Sequence, residues 1–354
     1  MTEPTAVFEP DLLNACIACG YCLPTCPTYR LTGDEASSPR GRITLMRGIQ
    51  NGDIDIDDPI AVEQSSQCLA CRACEPVCPA GVQYGRLVEQ WRGVAWKRRP
   101  VKMLATAAAV RRSWPVRLGA MVVPHARPHV GTGETNLMLG CFERLLYPKV
   151  SRSVCEVYPE ISVDPSQGCC GALHAHNGEL EVGEEMAQQL GDQLSGTIVS
   201  TAGGCAAHLA SVIGRDRVKE FSEYAIEHPP THPLTPIERH SRVARIAIQD
   251  SCHLRNGLGV ADDIRSLVRM IGTLVELRTA GDCCGAAGSY SLLRPRDARR
   301  VFDEKREELA ETDVVIIVVV NPGCYRQVKA EVARASLPIE VAHLAELVAE
   351  AARS

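Results

Sequence analysis

Eight of the chain's 17 cysteines repeat one spacing twice near the amino terminus. The spacing is C-x2-C-x2-C-x3-C, and a proline follows the last cysteine of each copy. The two copies comprise Cys16, Cys19, Cys22 and Cys26, and then Cys68, Cys71, Cys74 and Cys78. Three thiolates in so tight a loop can surround one compact inorganic group. The pattern therefore constrains the fold of this region more than any other feature of the sequence.

The spacing predicts two cubane [4Fe–4S] clusters. Each cubane needs four thiolates, and in two-cluster ferredoxins the fourth cysteine of each copy ligates the other cluster. The predicted ligand sets are therefore Cys16, Cys19, Cys22 and Cys78 for one cluster, and Cys68, Cys71, Cys74 and Cys26 for the other. Zinc ribbons and disulfides fit poorly, because zinc takes four ligands from two C-x2-C pairs and leaves a third cysteine without a role.

Length and hydropathy give the broad class of protein. At 354 residues the chain is long enough for two or three domains, each with its own core. The longest aliphatic run, 314–320, has the length of a buried strand, and no apolar run is long enough to span a membrane. The first residues, MTEPTAVFEP, do not resemble a secretory signal. Because many cysteines without export indicate metal chemistry in a reducing compartment, we expect a cytoplasmic protein, with peripheral attachment to the inner face of the membrane as a further option.

A basic segment interrupts this acidic chain, whose net charge is -5. No acid occurs between Trp91 and Gly133, a stretch that carries Arg92, Lys97, Arg98, Arg99, Lys102, Arg111, Arg112, Arg117 and Arg127. Apolar residues alternate with these cations, so the segment can lie on an anionic membrane surface or bind an acidic partner. A solvated helical linker explains the same pattern equally well. Nucleic acid is a poor alternative, since no nucleic-acid-binding motif accompanies the basic segment.

The remaining chain contains a duplication. In each half an aliphatic strand runs into a cysteine, a Cys-Cys-Gly motif follows, and a second strand runs into another cysteine. Helical stretches at 183–194 and 295–309 follow the double cysteines, so each half should form a parallel α/β sheet. The predicted fold is thus a small helical ferredoxin-like domain (1–95), a basic amphipathic linker (96–134) and two repeated α/β domains (135–240 and 241–354).

Each half brings four cysteines to the carboxyl ends of its strands, where open α/β sheets build their sites. The sets are Cys141, Cys169, Cys170 and Cys205 in the first half, and Cys252, Cys283, Cys284 and Cys324 in the second. Adjacent cysteines cannot easily hold one tetrahedral ion, whereas a multinuclear cluster offers separated iron atoms. We favour metal clusters over zinc, with free buried cysteine as the alternative. Cys155 lies outside both sets and is predicted to pack in the core.

Five motifs carry a resemblance to a known family: CIACGYCLPTCPTY, SPRGRI, CLACRACEPVCPAGV, GCCGALHAHNGE and CCGAAGSYSLLRP. They resemble the iron–sulfur subunit of glycolate oxidase over nearly the whole chain. The resemblance implies a two-cluster ferredoxin domain joined to two cysteine-rich CCG domains, which are similar to those of heterodisulfide reductase and of anaerobic glycerol-3-phosphate dehydrogenase. It also implies a partner subunit that binds flavin (FAD) and oxidises glycolate or another 2-hydroxy acid such as D-lactate.

The sequence departs from the fuller CCG pattern, in which each half ends in C-x2-C. Here His208 and Gln327 stand where the last cysteines would be. The missing thiolates argue against non-cubane double clusters and leave one ordinary iron–sulfur cluster in each half as an option. His208 as a replacement ligand and His208 as a hydrogen-bonded surface residue both remain open. The histidines His174, His176 and His253 can either adjoin a cluster or be solvated.

The sequence contains no nucleotide-binding or nucleophilic motif that its spacing supports. We therefore expect no catalytic residue in this chain, which would act as the electron relay of an oxidoreductase complex. Electrons would pass from the flavin of the partner to the amino-terminal clusters, and then through the CCG module to a membrane quinone or another acceptor. The rival hypothesis is a thiol–disulfide reductase that uses a cluster held by Cys283, Cys284 and Cys324.

Overall fold

The structure, a computed structural model, describes residues 7–96, 131 and 134–353. In these ranges a helical region at the amino terminus precedes two α/β units, which confirms the predicted fold class. The predicted linker at 96–134 lies almost wholly outside the described residues, so its contact with a membrane or a partner stays a prediction. Across 7–96 and 134–353, no helix combines the length and the apolar character needed to cross a membrane.

Five helices form the amino-terminal region, and local sequence signals mark where they begin. Proline lies in the first turn of four of them, where its missing N–H costs no helical hydrogen bond. Ser38 Oγ accepts a hydrogen bond from the Gly41 N–H and so caps the third helix. The helices are α1 Pro10–Asn14, α2 Pro27–Thr32, α3 Pro39–Asn51, α4 Pro59–Gln67 and α5 Tyr84–Ala95. Their shared core includes Met46, Leu87 and Trp91.

The first α/β unit contains a parallel sheet in the order β1-β2-β3. Its strands are β1 Thr135–Met138, β2 Thr197–Ser200 and β3 Val218–Glu220. The helices between and after them are α6 Cys141–Leu146, α7 Pro148–Val157, α8 Ala172–His176, α9 Leu180–Gln193, α10 Gly203–Ile213 and α11 Phe221–Glu227. A single parallel bridge from Asn136 to Ser162 extends the sheet on the far side of β1.

The second unit repeats this plan with one more full strand. A short antiparallel hairpin, β4 Glu238–Arg239 and β5 Arg242–Val243, precedes it. The parallel sheet has the order β7-β6-β8-β9, with β6 Arg245–Gln249, β7 Thr273–Val275, β8 Ile316–Val319 and β9 Glu340–Ala342. The helices are α12 Ala261–Ile271, α13 Tyr290–Leu293, α14 Pro295–Ala310, α15 Pro322–Arg334 and α16 Leu344–Arg353, and a π-helix covers Leu254–Leu258.

A single apolar core joins the two units. It contains Leu137 and Val199 from the first sheet together with Ile246 and Val318 from the second. Cys155 packs against this core, as predicted. Because the two units share buried surface, we expect them to unfold together, and the domain boundary placed between 135–240 and 241–354 stays a prediction.

Candidate iron–sulfur site

The first of two small cavities in the amino-terminal region is lined by Cys16, Cys19, Cys22 and Cys78. We call it the first cavity. The loop that carries its first three cysteines is tightly curled, with left-handed backbone at Ala18 (φ 57°) and Gly20 (φ 88°). Cys19 is exposed, whereas Cys16, Cys22 and Cys78 are half-buried. The cavity therefore lies just beneath the surface, with its ligand loop facing outward.

The second cavity is lined by Cys26, Cys68, Cys71 and Cys74. Its loop again contains left-handed residues, Ala70 (φ 48°) and Arg72 (φ 59°), and neither is a glycine. Left-handed backbone at such residues costs free energy, which the surrounding structure must offset. The curled loop turns its thiols toward one side, and the Ala70 N–H points at Cys68 Sγ at 3.4 Å.

The two cavities lie side by side. Three residues, Pro39, Cys74 and Tyr84, line both of them. The structure thus brings together the two four-cysteine sets that the spacing predicts, each drawing its fourth cysteine from the other copy of the motif. Which thiolates bind which cluster stays a prediction.

Buried positive charge surrounds the second cavity and fits an anionic group there. The guanidinium groups of Arg42 and Arg92 are buried close to Cys68. All of their hydrogen-bond acceptors within the described residues are neutral: Thr28, Ser37, Gln64 and Gln67 for Arg42, and Ser65, Cys68 and His176 for Arg92. Buried cations with only neutral acceptors are costly, and burial lowers the pKa of Arg92 although the nearby Glu89 carboxylate favours its charged form. Four thiolates around an iron–sulfur cluster would supply the missing negative charge.

Tyr84 also indicates that an iron–sulfur cluster fits the second cavity. Its hydroxyl is buried beside the Arg42 guanidinium, which can only donate to it, and has no hydrogen-bond acceptor in the part of the chain that the structure describes. Burial raises the pKa of Tyr84, and the Cys68 thiol raises it further. A buried donor without an acceptor is destabilising, whereas cluster sulfur accepts such hydrogen bonds. The residues present therefore fit a bound cluster.

The first cysteine set, Cys141, Cys169, Cys170 and Cys205, is assembled at the strand ends of the first unit as predicted. Cys141 begins α6 directly after β1, and Cys205 lies in the first turn of α10 after β2. The Cys141 and Cys169 sulfurs are 3.2 Å apart. Hydrogen bonds link Cys169 to Cys170 and Cys170 to Cys205, so the four thiols form one continuous chain of contacts.

The second cysteine set, Cys252, Cys283, Cys284 and Cys324, forms the same chain of contacts and is buried throughout. The Gly285 N–H points at Cys283 Sγ at 3.4 Å, and Asn321 Nδ2 lies 3.7 Å from Cys324 Sγ. Among the described residues, no three His, Cys, Asp or Glu side chains converge on the position of a single metal ion. A cubane distributes its thiolates over four iron atoms, so its ligands need no such convergence.

His208 and Gln327, which stand where the missing cysteines would be, make hydrogen bonds to nearby groups. His208 Nε2 lies 3.1 Å from the Gly183 carbonyl oxygen, and His208 is buried. Gln327 is buried and its amide lies 3.4 Å from Glu331 Oε1. His208 thus makes a hydrogen bond to a neighbouring helix, and Gln327 makes one within its own helix. A role for His208 as a ligand stays untested.

The two cysteine sets differ in the charged residues buried beside them, and each has both signs: Arg144 and Glu143 in the first unit, Lys305 and Asp250 in the second. Lys305 of α14 is buried near Cys252 and Cys284, donates a hydrogen bond to the Thr279 carbonyl, and has its pKa lowered by burial. In the first unit a carboxyl, Glu143, is buried two residues after Cys141, and burial raises its pKa to about 7. The sequence gives no signal for this difference, because charged residues on amphipathic helices are usually solvated.

The amino-terminal region packs directly on the second cysteine set. Leu69 shares one small buried cluster with Cys252, Cys283 and Tyr290, and Cys71 packs against that cluster. In addition, Asn256 Nδ2 donates a hydrogen bond to the Cys71 carbonyl oxygen at 2.9 Å. The thiols of the second cavity and of the second cysteine set are therefore neighbours. The sequence did not predict this contact, because the two segments are far apart along the chain.

Histidines join all three parts of the molecule. His176 Nδ1 lies 2.8 Å from Glu89 Oε1 on α5, and the His176 ring faces the ring of His253 with 4.7 Å between centroids. His174 is buried, with Nδ1 2.5 Å from Glu179 Oε2. His176 follows the first cysteine pair and His253 follows Cys252, so the stacked rings connect the two cysteine-rich units.

Two family models match the chain. A 4Fe–4S dicluster domain matches residues 12–82, and a cysteine-rich domain matches residues 135–210 and again 246–329. These matches confirm the predicted order of a two-cluster ferredoxin-type domain followed by a repeated cysteine-rich domain.

Curated relatives match the chain over almost its full length. The probable glycolate oxidase iron–sulfur subunit of Bacillus subtilis (strain 168) is 30% identical, over 97% of this chain and 95% of the relative. The glycolate oxidase iron–sulfur subunit of Escherichia coli (strain K12) is 28% identical, over 92% of each chain. A fumarate reductase (CoM/CoB) subunit of Methanothermobacter marburgensis is 24% identical, over 98% of this chain and 74% of the relative.

Proposed function

The chain belongs to the family of glycolate oxidase iron–sulfur subunits, and from this premise we propose that it relays electrons for a partner that oxidises a 2-hydroxy acid. The proposed partner binds FAD and oxidises glycolate or a related acid such as D-lactate. When bound, iron–sulfur clusters accept and release one electron at a time. The residues of this chain hold these clusters, exclude water from them and set their order.

The single observation that carries the proposal is the sequence of contacts from the surface to the interior. The first cavity has an exposed ligand loop, and it shares Pro39, Cys74 and Tyr84 with the second cavity. Cys71 of the second cavity packs against the buried cluster that contains Cys252 and Cys283. Electrons entering at the surface thus have a short route inward, and the route leads into the second cysteine set.

The loop of the first cavity is the proposed docking surface for the flavin-binding subunit. Ile17 and Tyr21 flank Cys19, and they are 68% and 69% exposed, which is high for large apolar side chains. Aromatic and aliphatic side chains of this kind are enriched at the centres of protein interfaces. A partner that covers this loop would place its electron donor beside the first cavity and would exclude water from it.

Mutation of the loop tests this surface. We expect Ile17→Glu to weaken binding of the flavin-binding subunit by about tenfold or more, because a charge would be buried at the interface centre. Met270→Glu is the matched control, because Met270 is an exposed apolar residue of the second unit, 51% exposed. Binding is measured by surface plasmon resonance under anaerobic conditions. Equal loss of affinity in the two variants would exclude this loop as the docking surface.

A separate experiment tests whether the partner, and not this chain, oxidises the hydroxy acid. The chain purified without oxygen should contain iron and acid-labile sulfide, and should not oxidise glycolate or D-lactate alone. Adding the flavin-binding subunit with its substrate should reduce the clusters, which is measured as bleaching of the visible absorbance. Oxidation of a hydroxy acid by the chain alone, or a colourless protein that contains zinc, would contradict the proposal.

A thiol–disulfide reductase is the second candidate function. It is favoured by the similarity to the methanogen protein named for CoM/CoB, which extends over both cysteine-rich units. The presence of Gln327 where a further cysteine would stand counts against it. Turnover of a disulfide by the isolated chain that is lost in Cys284→Ala would support this second function in place of the relay.

A further inference from the structure

A third cavity lies where the amino-terminal region and the two cysteine-rich units meet. Its volume is about 370 Å³, which lies within the range of roughly 300–1,000 Å³ found for small-ligand sites. The walls come from α4, from the end of α5, from the segment after α8 and from α13. The lining residues are Pro59, Val62, Glu63, Ser66, Arg92, Trp96, His176, Asn177, Ala287, Ser289, Tyr290, Leu293 and Arg294.

This cavity is separate from the cysteine sites but adjoins two of them. None of the chain's cysteines, all of which the structure describes, lines it. Two of its wall residues nevertheless touch those sites. Arg92 donates a hydrogen bond to the Cys68 carbonyl oxygen at 2.5 Å, and Tyr290 shares a buried cluster with Cys252 and Cys283. A molecule in the cavity would be one side chain away from both the second cavity and the second cysteine set.

The duplication places matching residues of the two repeats in the cavity wall. His176 follows Cys170 by the same number of residues as Tyr290 follows Cys284. Next to them, Ser289 Oγ donates a hydrogen bond to Asn177 Oδ1 at 2.8 Å, so the two units are bonded to each other at the cavity wall. The cavity is thus built by the pairing of the two repeats and depends on both of them.

The chemistry of the walls selects an uncharged, flat and partly polar ligand. Val62, Leu293 and the ring of Trp96 supply apolar surface. The charged groups on the walls are already engaged within the protein: Arg294 pairs with Glu63 at 2.5 Å, and the Arg92 guanidinium donates to the carbonyl oxygens of Ser65, Cys68 and His176. The amide of Asn177 and the imidazole of His176 can donate hydrogen bonds to carbonyl oxygens. Leu293 is half exposed, so the cavity opens to the surface.

We propose that the third cavity binds the headgroup of a quinone, which is the electron acceptor of this chain. The inference rests on the proposed function, because the two electrons come from oxidation of the hydroxy acid by the partner. Clusters held by the cysteines beside the cavity would supply these electrons to the quinone, one at a time. Two protons, taken from water through the open mouth, join the two carbonyl oxygens and yield the quinol. No bond between heavy atoms is formed or broken.

Filling the cavity tests the proposal. The full chain is reduced with dithionite without oxygen, excess reductant is removed, and the rate of reoxidation is measured at increasing concentrations of menadione. We expect Leu293→Trp to raise the menadione concentration for half-maximal rate by about tenfold or more, because the larger side chain overfills the cavity. Leu292→Trp is the matched control, since Leu292 is adjacent, 64% exposed and absent from the cavity wall.

Reoxidation by ferricyanide distinguishes a failure of the quinone-site proposal from a failure of the electron-relay function. As a small anion it needs no apolar cavity, so its rate with Leu293→Trp should equal that of the unaltered chain. If menadione reoxidises Leu293→Trp at unchanged concentrations while ferricyanide also reacts, the cavity is not the acceptor site and the relay function stands. A chain that neither dithionite nor the flavin-binding subunit can reduce would instead overturn the relay itself.

A second variant and a direct binding measurement guard against misfolding. Val62→Phe fills the cavity from the opposite wall and should change the menadione dependence in the same direction, with iron content unchanged. Equilibrium dialysis of menadione against the unaltered chain should show one saturable site. Absence of saturable binding would overturn the proposal whatever the behaviour of the variants.

Discussion

Lys305 and the carboxylate of Asp250 are buried beside the cysteines of the second α/β unit, whereas Arg144 and Glu143 are the buried charged residues that follow Cys141 in the first. The two units share one cysteine spacing and one arrangement of strands, yet only the second cysteine set packs against Cys71. Buried positive charge stabilises an anionic cluster in its reduced form, and buried carboxyl groups do the opposite. The comparison teaches that the duplicated scaffold places one copy of the cysteine set, and not the other, against the thiols of the second cavity.

Matched cysteine variants give the largest expected effect. Cys283→Ala and Cys169→Ala alter equivalent positions in the two repeats. We expect Cys283→Ala to slow acceptor reduction by at least about tenfold, since loss of even an outer-shell partner of a metal ligand costs about tenfold to a hundredfold, and Cys169→Ala to change it little. The rate is measured with the flavin-binding subunit and its substrate. Equal effects in the two variants would remove the functional distinction between the repeats.

The buried carboxyl of Glu220 should make the free energy of unfolding depend on pH. Burial raises the pKa of this carboxyl to about 7, although its side chain caps α11 through the Ser222 N–H. The folded chain therefore holds a proton that the unfolded chain releases near pH 4.3. The resulting stability is fully present below about pH 4.3 and is lost as the pH rises through about 7, by about 4 kcal/mol in total.

Replacing this carboxyl isolates its contribution. Glu220→Gln keeps the helix cap and cannot ionise, so its free energy of unfolding should fall less between pH 4.5 and 7 than that of the unaltered chain. Chemical denaturation of the apoprotein at several pH values measures the difference. Glu223→Gln, which alters an ionisable neighbour on the same helix, serves as the comparison. Parallel pH curves for Glu220→Gln and the unaltered chain would show that Glu220 is ionised in the folded state.

Replacing Lys305 should have a smaller effect, which is on the reduction potential of a cluster at the second cysteine set. Lys305→Met removes the buried cation and leaves an apolar side chain of similar length, so the reduction potential of a cluster at this set should fall by some tens of millivolts, where about 59 mV is a tenfold change for one electron. Lys329→Met is the control, because Lys329 is exposed on α15, the helix that carries Cys324. A redox titration followed by electron paramagnetic resonance measures both. An unchanged potential in Lys305→Met would exclude its proposed electrostatic role.

Replacing Tyr290 should have the smallest effect on this reduction potential. Its hydroxyl is buried without a hydrogen-bond partner among the described residues, and it lies near Cys283 and Cys68. Tyr290→Phe removes one neutral donor, so the potential of the adjacent cluster should fall by less than in Lys305→Met. The apoprotein should be equally stable or more stable, because a buried unpaired group is lost. A large loss of apoprotein stability would indicate an internal partner for this hydroxyl.

The sequence predicted those parts of the site that depend on local spacing. The two four-cysteine sets follow from the repeated motif, and the structure places each set around its own cavity. The predicted helices at 183–194 and 295–309 correspond to α9 and α14. Strands that end in cysteines were also predicted, because aliphatic runs of that length indicate buried parallel strands.

Features that depend on tertiary packing were not predicted. The contact between Cys71 and the second cysteine set joins segments far apart along the chain, and nothing in either segment encodes the docking. Arg42, Arg92 and Lys305 belong to amphipathic helices, where charged residues usually face water, so their burial beside thiols had no local signal. The third cavity was missed for the same reason, since its walls come from three separate parts of the chain.

The most direct test of the account is electron paramagnetic resonance of the full chain, purified and reduced without oxygen. Because the first and second cavities share Pro39, Cys74 and Tyr84, the account predicts two reduced [4Fe–4S] clusters close enough to couple magnetically, with signals broadened by that coupling. Replacing Cys19 with serine should remove the signal of the first cavity and, with it, the coupling between the two cavities. Two uncoupled signals in the unaltered chain, or no signal from this region, would contradict the account.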